Sequence, residues 1–144
     1  MRAKLLLDES SLYETIVSHY LDMLKKLLDQ SSYYFEVSSN AVPKEPGVYV
    51  ISGKKEKAVI YAGRTKNLRR RLLHDHKSGN VEGSRFRKAL QQNFALNSEK
   101  EITNYALENC SFQFMVIERF EEMARLEHFI TAVLAPVLNI QLKQ

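Results

Sequence analysis

Gly47-Val48-Tyr49-Val50-Ile51, Ser52-Gly53-Lys54-Lys55-Glu56-Lys57 and Ala58-Val59-Ile60-Tyr61-Ala62 form one continuous stretch, and its reading decides the fold. The two outer runs are β-branched and aromatic, which suits a pleated, half-buried surface. The run between them is polar with one Gly, so the stretch reads as an antiparallel hairpin. Just upstream, Pro43 and Pro46 enforce an extended entry. Downstream, Thr65 or Asn67 can cap a helix reaching about Lys77, and Ser84 can cap a shorter one through Gln92. Residues 98–108 read as helix. Ser111-Phe112-Gln113-Phe114-Met115-Val116-Ile117 reads as a third strand. Glu121 to Leu134 is a helix stopped near Pro136. The class is α+β, with the domain spanning 43–144.

The first 42 residues read differently. Ser11-Leu12-Tyr13-Glu14 has the form of a capping box. Tyr13, Val17, Tyr20, Leu24 and Leu27 then recur at alternating spacings of four and three, an amphipathic helix from about Ser11 to Asp29. Residues 1–42 are too short to form a domain, so they are an N-terminal helical extension. Its apolar face docks on the main domain or pairs with a second subunit as a homodimer.

The chain has 144 residues, 44% hydrophobic and 26% charged, which excludes wholesale disorder. One cysteine, Cys110, excludes an internal disulfide and a thiolate zinc cluster, and fits a reducing compartment. No apolar run approaches the ~18 residues of a membrane span, and Met1 to Asp8 is too short for a signal peptide's apolar core. The expectation is a cytoplasmic protein with no membrane partner. Net charge is +4, but residues 54–88 hold 12 basic and three acidic residues, whereas the remainder holds 9 basic and 14 acidic. A segment at +9 beside a remainder at −5 points to a polyanion, with nucleic acid ahead of an anionic membrane.

Four features carry chemistry. Met123, Leu126, Ile130, Val133 and Leu134 form an apolar stripe, and Glu127 lies on it. A core-facing carboxylate is costly unless it is paired, hydrogen-bonded or bound to metal, although one at the stripe's edge reaches water. Leu68, Leu72 and Leu73 mark the inner face of the helix after the hairpin, with Arg71 adjoining it, where a guanidinium can clamp a phosphate bidentately. His74-Asp75-His76 is a poor metal pair, because helical neighbours two apart do not face each other, but either His could carry a proton or touch a phosphate. His128 and Cys110 read as structural.

Gly47-Val48-Tyr49, eleven residues and then Tyr61-Ala62-Gly63 resemble the paired motif of the GIY-YIG nuclease superfamily. In that family an essential Arg follows the second motif's Tyr by ten residues, which is Arg71 here. A helical Glu matches Glu127 in Arg125-Leu126-Glu127, and a Pro-x-x-Asn segment matches Pro136-Val137-Leu138-Asn139. The likeness spans Pro46 to about Asn139. Two departures stand out. Ala62 replaces a larger aliphatic, and the position fourteen residues after Tyr61, where many members carry His or Tyr, is Asp75, flanked by His74 and His76.

The resemblance implies a three-stranded antiparallel sheet flanked by helices, and a DNA endonuclease with one divalent cation, Mg2+ or Mn2+, held by the single carboxylate of Glu127. Tyr61 takes the proton from the attacking water, Tyr49 orients the water or phosphate, and His74 or His76 relays. Arg71 stabilises the transition state and Asn139 holds the geometry. The nucleic-acid-binding set is Arg64, Lys66, Arg69, Arg70, Arg85, Arg87 and Lys88, and Phe86 is a candidate for base stacking or for the core. Branched DNA, single-stranded DNA and RNA stay open as substrates. The alternatives are a catalytically weak or inactive nucleic-acid-binding module of the same fold, supported by Asp75, and a protein-interaction domain using the Tyr13–Leu28 helix.

Overall fold

The computed structural model describes residues 2–140. Its elements are α1 (Arg2–Leu28), β1 (Tyr33–Tyr34), β2 (Gly47–Gly53), β3 (Val59–Thr65), α2 (Leu68–Arg70, running on as π-helix over Arg71–His76), α3 (Arg85–Phe94), α4 (Glu99–Asn109), β4 (Cys110–Val116), α5 (Phe120–Leu134) and α6 (Val137–Ile140). The β2–β3 hairpin forms as predicted, with Val50 opposite Ala62 and a register shift after Ile51. β4 pairs antiparallel with β2 on its other side.

The sheet has four strands, in the order β1-β4-β2-β3, rather than three. The added strand is Tyr33–Tyr34, which pairs with Phe112 and Ser111. Two residues carry no periodicity, so the polar Ser-rich stretch around them reads as loop.

β2 is buried on both faces. Val48 and Val50 join a core with Leu24 and Leu27 of α1 and Met123, Leu126 and Ile130 of α5. Tyr49 and Ile51 point the other way, into a core with Leu68, Leu72, Phe86, Leu90, Ile102 and Phe112. The alternation follows from the two-residue period of a strand. Phe35 and Val42 are also fully buried, so the segment before the hairpin contributes to the second of these cores. The helix expected from Ser11 begins at Arg2 instead, and Ser11 is an interior position whose carbonyl accepts from the Thr15 hydroxyl. The leucines of Lys4-Leu5-Leu6-Leu7 are good helix formers and extend it past the apparent cap.

The caps at Asn67 and Ser84 hold as predicted, and Ser98 adds one that the sequence reading did not name. The side chains of Asn67, Ser84 and Ser98 each accept from the backbone N–H three residues on. α5 ends at Ala135 in the left-handed region, one residue before Pro136. Among the described residues, no helix is long and apolar enough to cross a membrane.

Candidate active site

β2 and β3 bring the two tyrosines onto one face. Tyr49 lies opposite Gly63, and Tyr61 opposite Ile51. The tyrosine rings are 6.4 Å apart. The glycines have a steric reason. A Cβ on Gly63 would strike the Tyr49 hydroxyl and ring, and one on Gly47 would strike the Met115 carbonyl. Both motif glycines therefore mark close approaches rather than turns.

The π-helical turn of α2 explains the sequence departure at Asp75. A π turn accommodates one extra residue per helical turn. His76, fifteen residues after Tyr61, consequently faces the tyrosines, and Asp75 does not. His76 is fully buried, with Nε2 2.7 Å from the Tyr49 hydroxyl and Nδ1 2.7 Å from Ser84 Oγ. Ser84 Oγ also accepts from the Arg87 N–H. Burial first, then the nearby Arg71 and Arg87 charges, hold the His76 pKa well below its ordinary 6.5, so the ring is neutral. His74 is exposed, 3.1 Å from the Asp75 carboxylate, and stands outside the cluster.

Arg71 reaches inward from the start of the π turn. Its Nη1 donates to the Arg64 carbonyl at 3.2 Å and lies 3.5 Å from the Tyr49 hydroxyl, while its Nε is 3.4 Å from Asp75. Burial works against the charge, but Tyr49 and Asp75 outweigh it and the pKa rises, so Arg71 is a permanent cation. Burial raises the pKa of both phenols, with Tyr61 opposed by Arg71 and Arg85.

Glu127 comes from α5. Residues 62 and 64 of β3 point toward that helix, and Arg64 Nη1 donates to Glu127 Oε1 at 2.6 Å. Asn139, at the chain's return, donates Nδ2–H to the Ala62 carbonyl at 2.9 Å and accepts the Ala62 N–H on Oδ1 at 2.8 Å. That pair satisfies both outward-facing groups of an edge-strand residue. Tyr49, Tyr61, Arg64, Arg71, Glu127 and Asn139 all line one cleft of about 420 Å³.

The basic residues divide. Arg85 and Lys88 are exposed and border an adjoining cleft with Tyr61 and Arg71. Lys66 and Arg70 are exposed on the opposite side of Arg71. Arg69 donates Nε–H to the Val42 carbonyl at 2.7 Å and borders a separate groove with His74. Arg87 is a correction. Its side chain is 0% exposed, and it donates to the His76, Lys77 and Glu99 carbonyls and to the Glu99 carboxylate. It ties α3 to α2 and α4 and has no donor left to offer a phosphate. Phe86 is likewise core, packed against Phe35, Tyr61 and His76.

Ser84, the partner of His76, shows in the sequence only as a helix cap. The Arg64–Glu127 contact and the exposed Phe120 have no local signal at all. Cys110 is buried, which pushes its thiol up to about 12.

The family model described as the GIY-YIG catalytic domain matches residues 20–144. Similar solved structures include the GIY-YIG N-terminal endonuclease domain of UvrC from Thermotoga maritima bound to magnesium, 22% identical over 74% of this chain and 96% of that one, with a TM-score of 0.45. A point mutant of that domain, bound to its catalytic divalent cation, is 22% identical over 74% of this chain and 94% of that one, also at 0.45. No curated protein matches the chain.

Proposed function

The chain belongs to the GIY-YIG catalytic domain family, and on that premise we propose that it is a metal-dependent endonuclease hydrolysing phosphodiester bonds in DNA. One observation carries the reading. Two tyrosines of a hairpin, an Arg of α2 and a Glu of α5 meet in a single cleft, and packing gives no reason for the two charged side chains to be there. Arg and Tyr suit a phosphate, and a lone carboxylate beside them suits a hard divalent cation that keeps most of its waters. Among the described residues there is no group of three or more His, Cys, Asp or Glu able to hold a metal, so the donor set fits loose Mg2+ or Mn2+ binding at Glu127 and not a closed cage. A cation held there supplies charge neutralisation at the scissile phosphate and the leaving 3′ oxygen.

The chain's own groups do the rest. Arg71, permanently charged, stabilises the transition-state phosphorus oxygens. Arg64 would yield its place as the partner of Glu127 to a cation held there, which would leave the Arg64 guanidinium free for the phosphate. Tyr61 is assigned from the sequence to take the proton from the attacking water, and Arg71 and Arg85 oppose the rise that burial imposes on its phenol. A second path for the proton leads through Tyr49. With His76 protonated on Nδ1, Nε2 accepts from Tyr49 as Tyr49 accepts from water, Nδ1 passes its proton to Ser84 Oγ, and Ser84 releases its own hydroxyl proton to water in the adjoining cleft that it lines. This relay never places a charge on the buried imidazole. Asn139 positions β3. Lys66 and Arg70 on one side, and Arg85 and Lys88 on the other, track the strand. We place the activity in the cytoplasm, where Cys110 stays reduced.

The test is incubation of supercoiled plasmid, single-stranded DNA and a branched duplex with the protein in Mg2+, Mn2+ or EDTA. Nicking that needs metal supports the reading. Salt-sensitive binding with no product in any metal supports the binding-module alternative. The main support for that alternative, Asp75, weighs less now that His76 faces Tyr49.

A further inference from the structure

We propose that Phe120 is a stacking platform for an unpaired nucleobase next to the scissile phosphate, so that the enzyme takes single-stranded or branched DNA in preference to intact duplex. The inference rests on the nuclease reading and names its substrate class. Phe120 opens α5 and is 59% exposed. A single exposed apolar side chain means little by itself. This one borders a cleft of about 430 Å³ whose other walls include Arg64, Lys66, Asn67, Arg70 and Arg71. Two of those residues, Arg64 and Arg71, also line the catalytic cleft, so the two clefts adjoin across these side chains.

The chemistry of the walls is that of a single-strand site. Lys66 Nζ sits 5.4 Å from the Phe120 ring centroid, a cation beside an aromatic face. Asp75 is the one acid in the cleft, and Arg71 and Arg70 hold its carboxylate at 3.4 and 3.9 Å, leaving the cleft positive. Cations that follow a backbone, next to an aromatic face that accepts any base, form the sequence-tolerant arrangement for single strands. A base within a stacked duplex presents no free face to Phe120. The strand must therefore be unpaired at the nucleotide that enters this cleft while its neighbouring phosphate lies on Arg71.

Binding measured in EDTA isolates this step from cleavage. Oligonucleotides carrying 2-aminopurine are titrated with wild type, Phe120→Ala and Phe120→Tyr, as single strands and as blunt duplexes. We expect the Ala variant to bind the single strand about tenfold more weakly, within the range for losing one stacked base. Duplex affinity should stay unchanged, and the Tyr variant should restore the wild-type value. The fluorescence quenching of 2-aminopurine seen with wild type should disappear with the Ala variant. Equal single-strand affinity for wild type and Phe120→Ala overturns the platform, but leaves standing a nuclease reading that rests on metal-dependent nicking. A wild type that binds no oligonucleotide overturns both.

Discussion

Two arginines two residues apart show how burial decides a role. Arg85 and Arg87 look alike in the sequence, yet one is exposed and the other is enclosed by carbonyls and Glu99. Replacing Arg87 by Ala should cost about 3 kcal/mol or more in urea unfolding, because it strands buried acceptors. Arg85→Ala should leave stability within about 0.5 kcal/mol, yet weaken DNA binding and lower the salt slope by about one. The reverse pattern would return Arg87 to the phosphate set.

His76 gives a pH signature. Its folded pKa is depressed below the unfolded value of about 6.5, so the unfolded chain binds a proton the native state refuses. Stability is therefore intact above pH 6.5 and falls as pH drops below it, by up to about 1.4 kcal/mol per unit. The lowered pKa values of Glu99 and Glu122 act only below about 4.5. Thermal melts between pH 7 and 5 should show a steeper decline for wild type than for His76→Gln. Parallel curves would mean that the ring is not held neutral.

At the scale of elements, the edge strand β3 contributes Tyr61 and Arg64 to the site, and the backbone of its Ala62 is hydrogen-bonded on the outer edge by one side chain. Asn139→Ala removes both hydrogen bonds to Ala62 and should destabilise by about 1–3 kcal/mol, with a loss of activity out of proportion to the unfolded fraction. Asn139→Asp should be no better, since its carboxylate would face the Ala62 carbonyl. Full activity in either variant would free β3 from this dependence.

The sequence was most legible here. β-branched and aromatic runs around a polar turn defined the hairpin, and the family resemblance singled out Arg71 ten residues after Tyr61, while the apolar stripe of α5 drew attention to Glu127. What stayed hidden depends on geometry without a local pattern. A π turn moves His76 into the position expected at residue 75, and no residue type announces that turn. β1 is too short for periodicity. The burial of Arg87 depends on Glu99, twelve residues away across a loop.

For the whole molecule, α1 is half docked. Tyr20, Leu24 and Leu27 are buried, and Tyr20 donates to Glu122 at 2.7 Å. The same stripe continues through Leu12, Tyr13, Ile16 and Val17, all exposed. The homodimer expected from the sequence assigns this overhang to a second copy of the chain. Sedimentation should show a concentration-dependent dimer that Ile16→Glu converts to monomer. A wild type that stays monomeric at high micromolar concentration would refute the assignment.

The central claim is that Glu127, Arg71 and the two tyrosines form one hydrolytic site. The most direct measurement is the single-turnover cleavage rate of labelled DNA in Mg2+ by wild type and Glu127→Gln, with folding checked by thermal melt. The account predicts a fall of about a thousandfold or more with an unchanged melt and nearly unchanged DNA affinity. A Gln variant that cuts at the wild-type rate would contradict it.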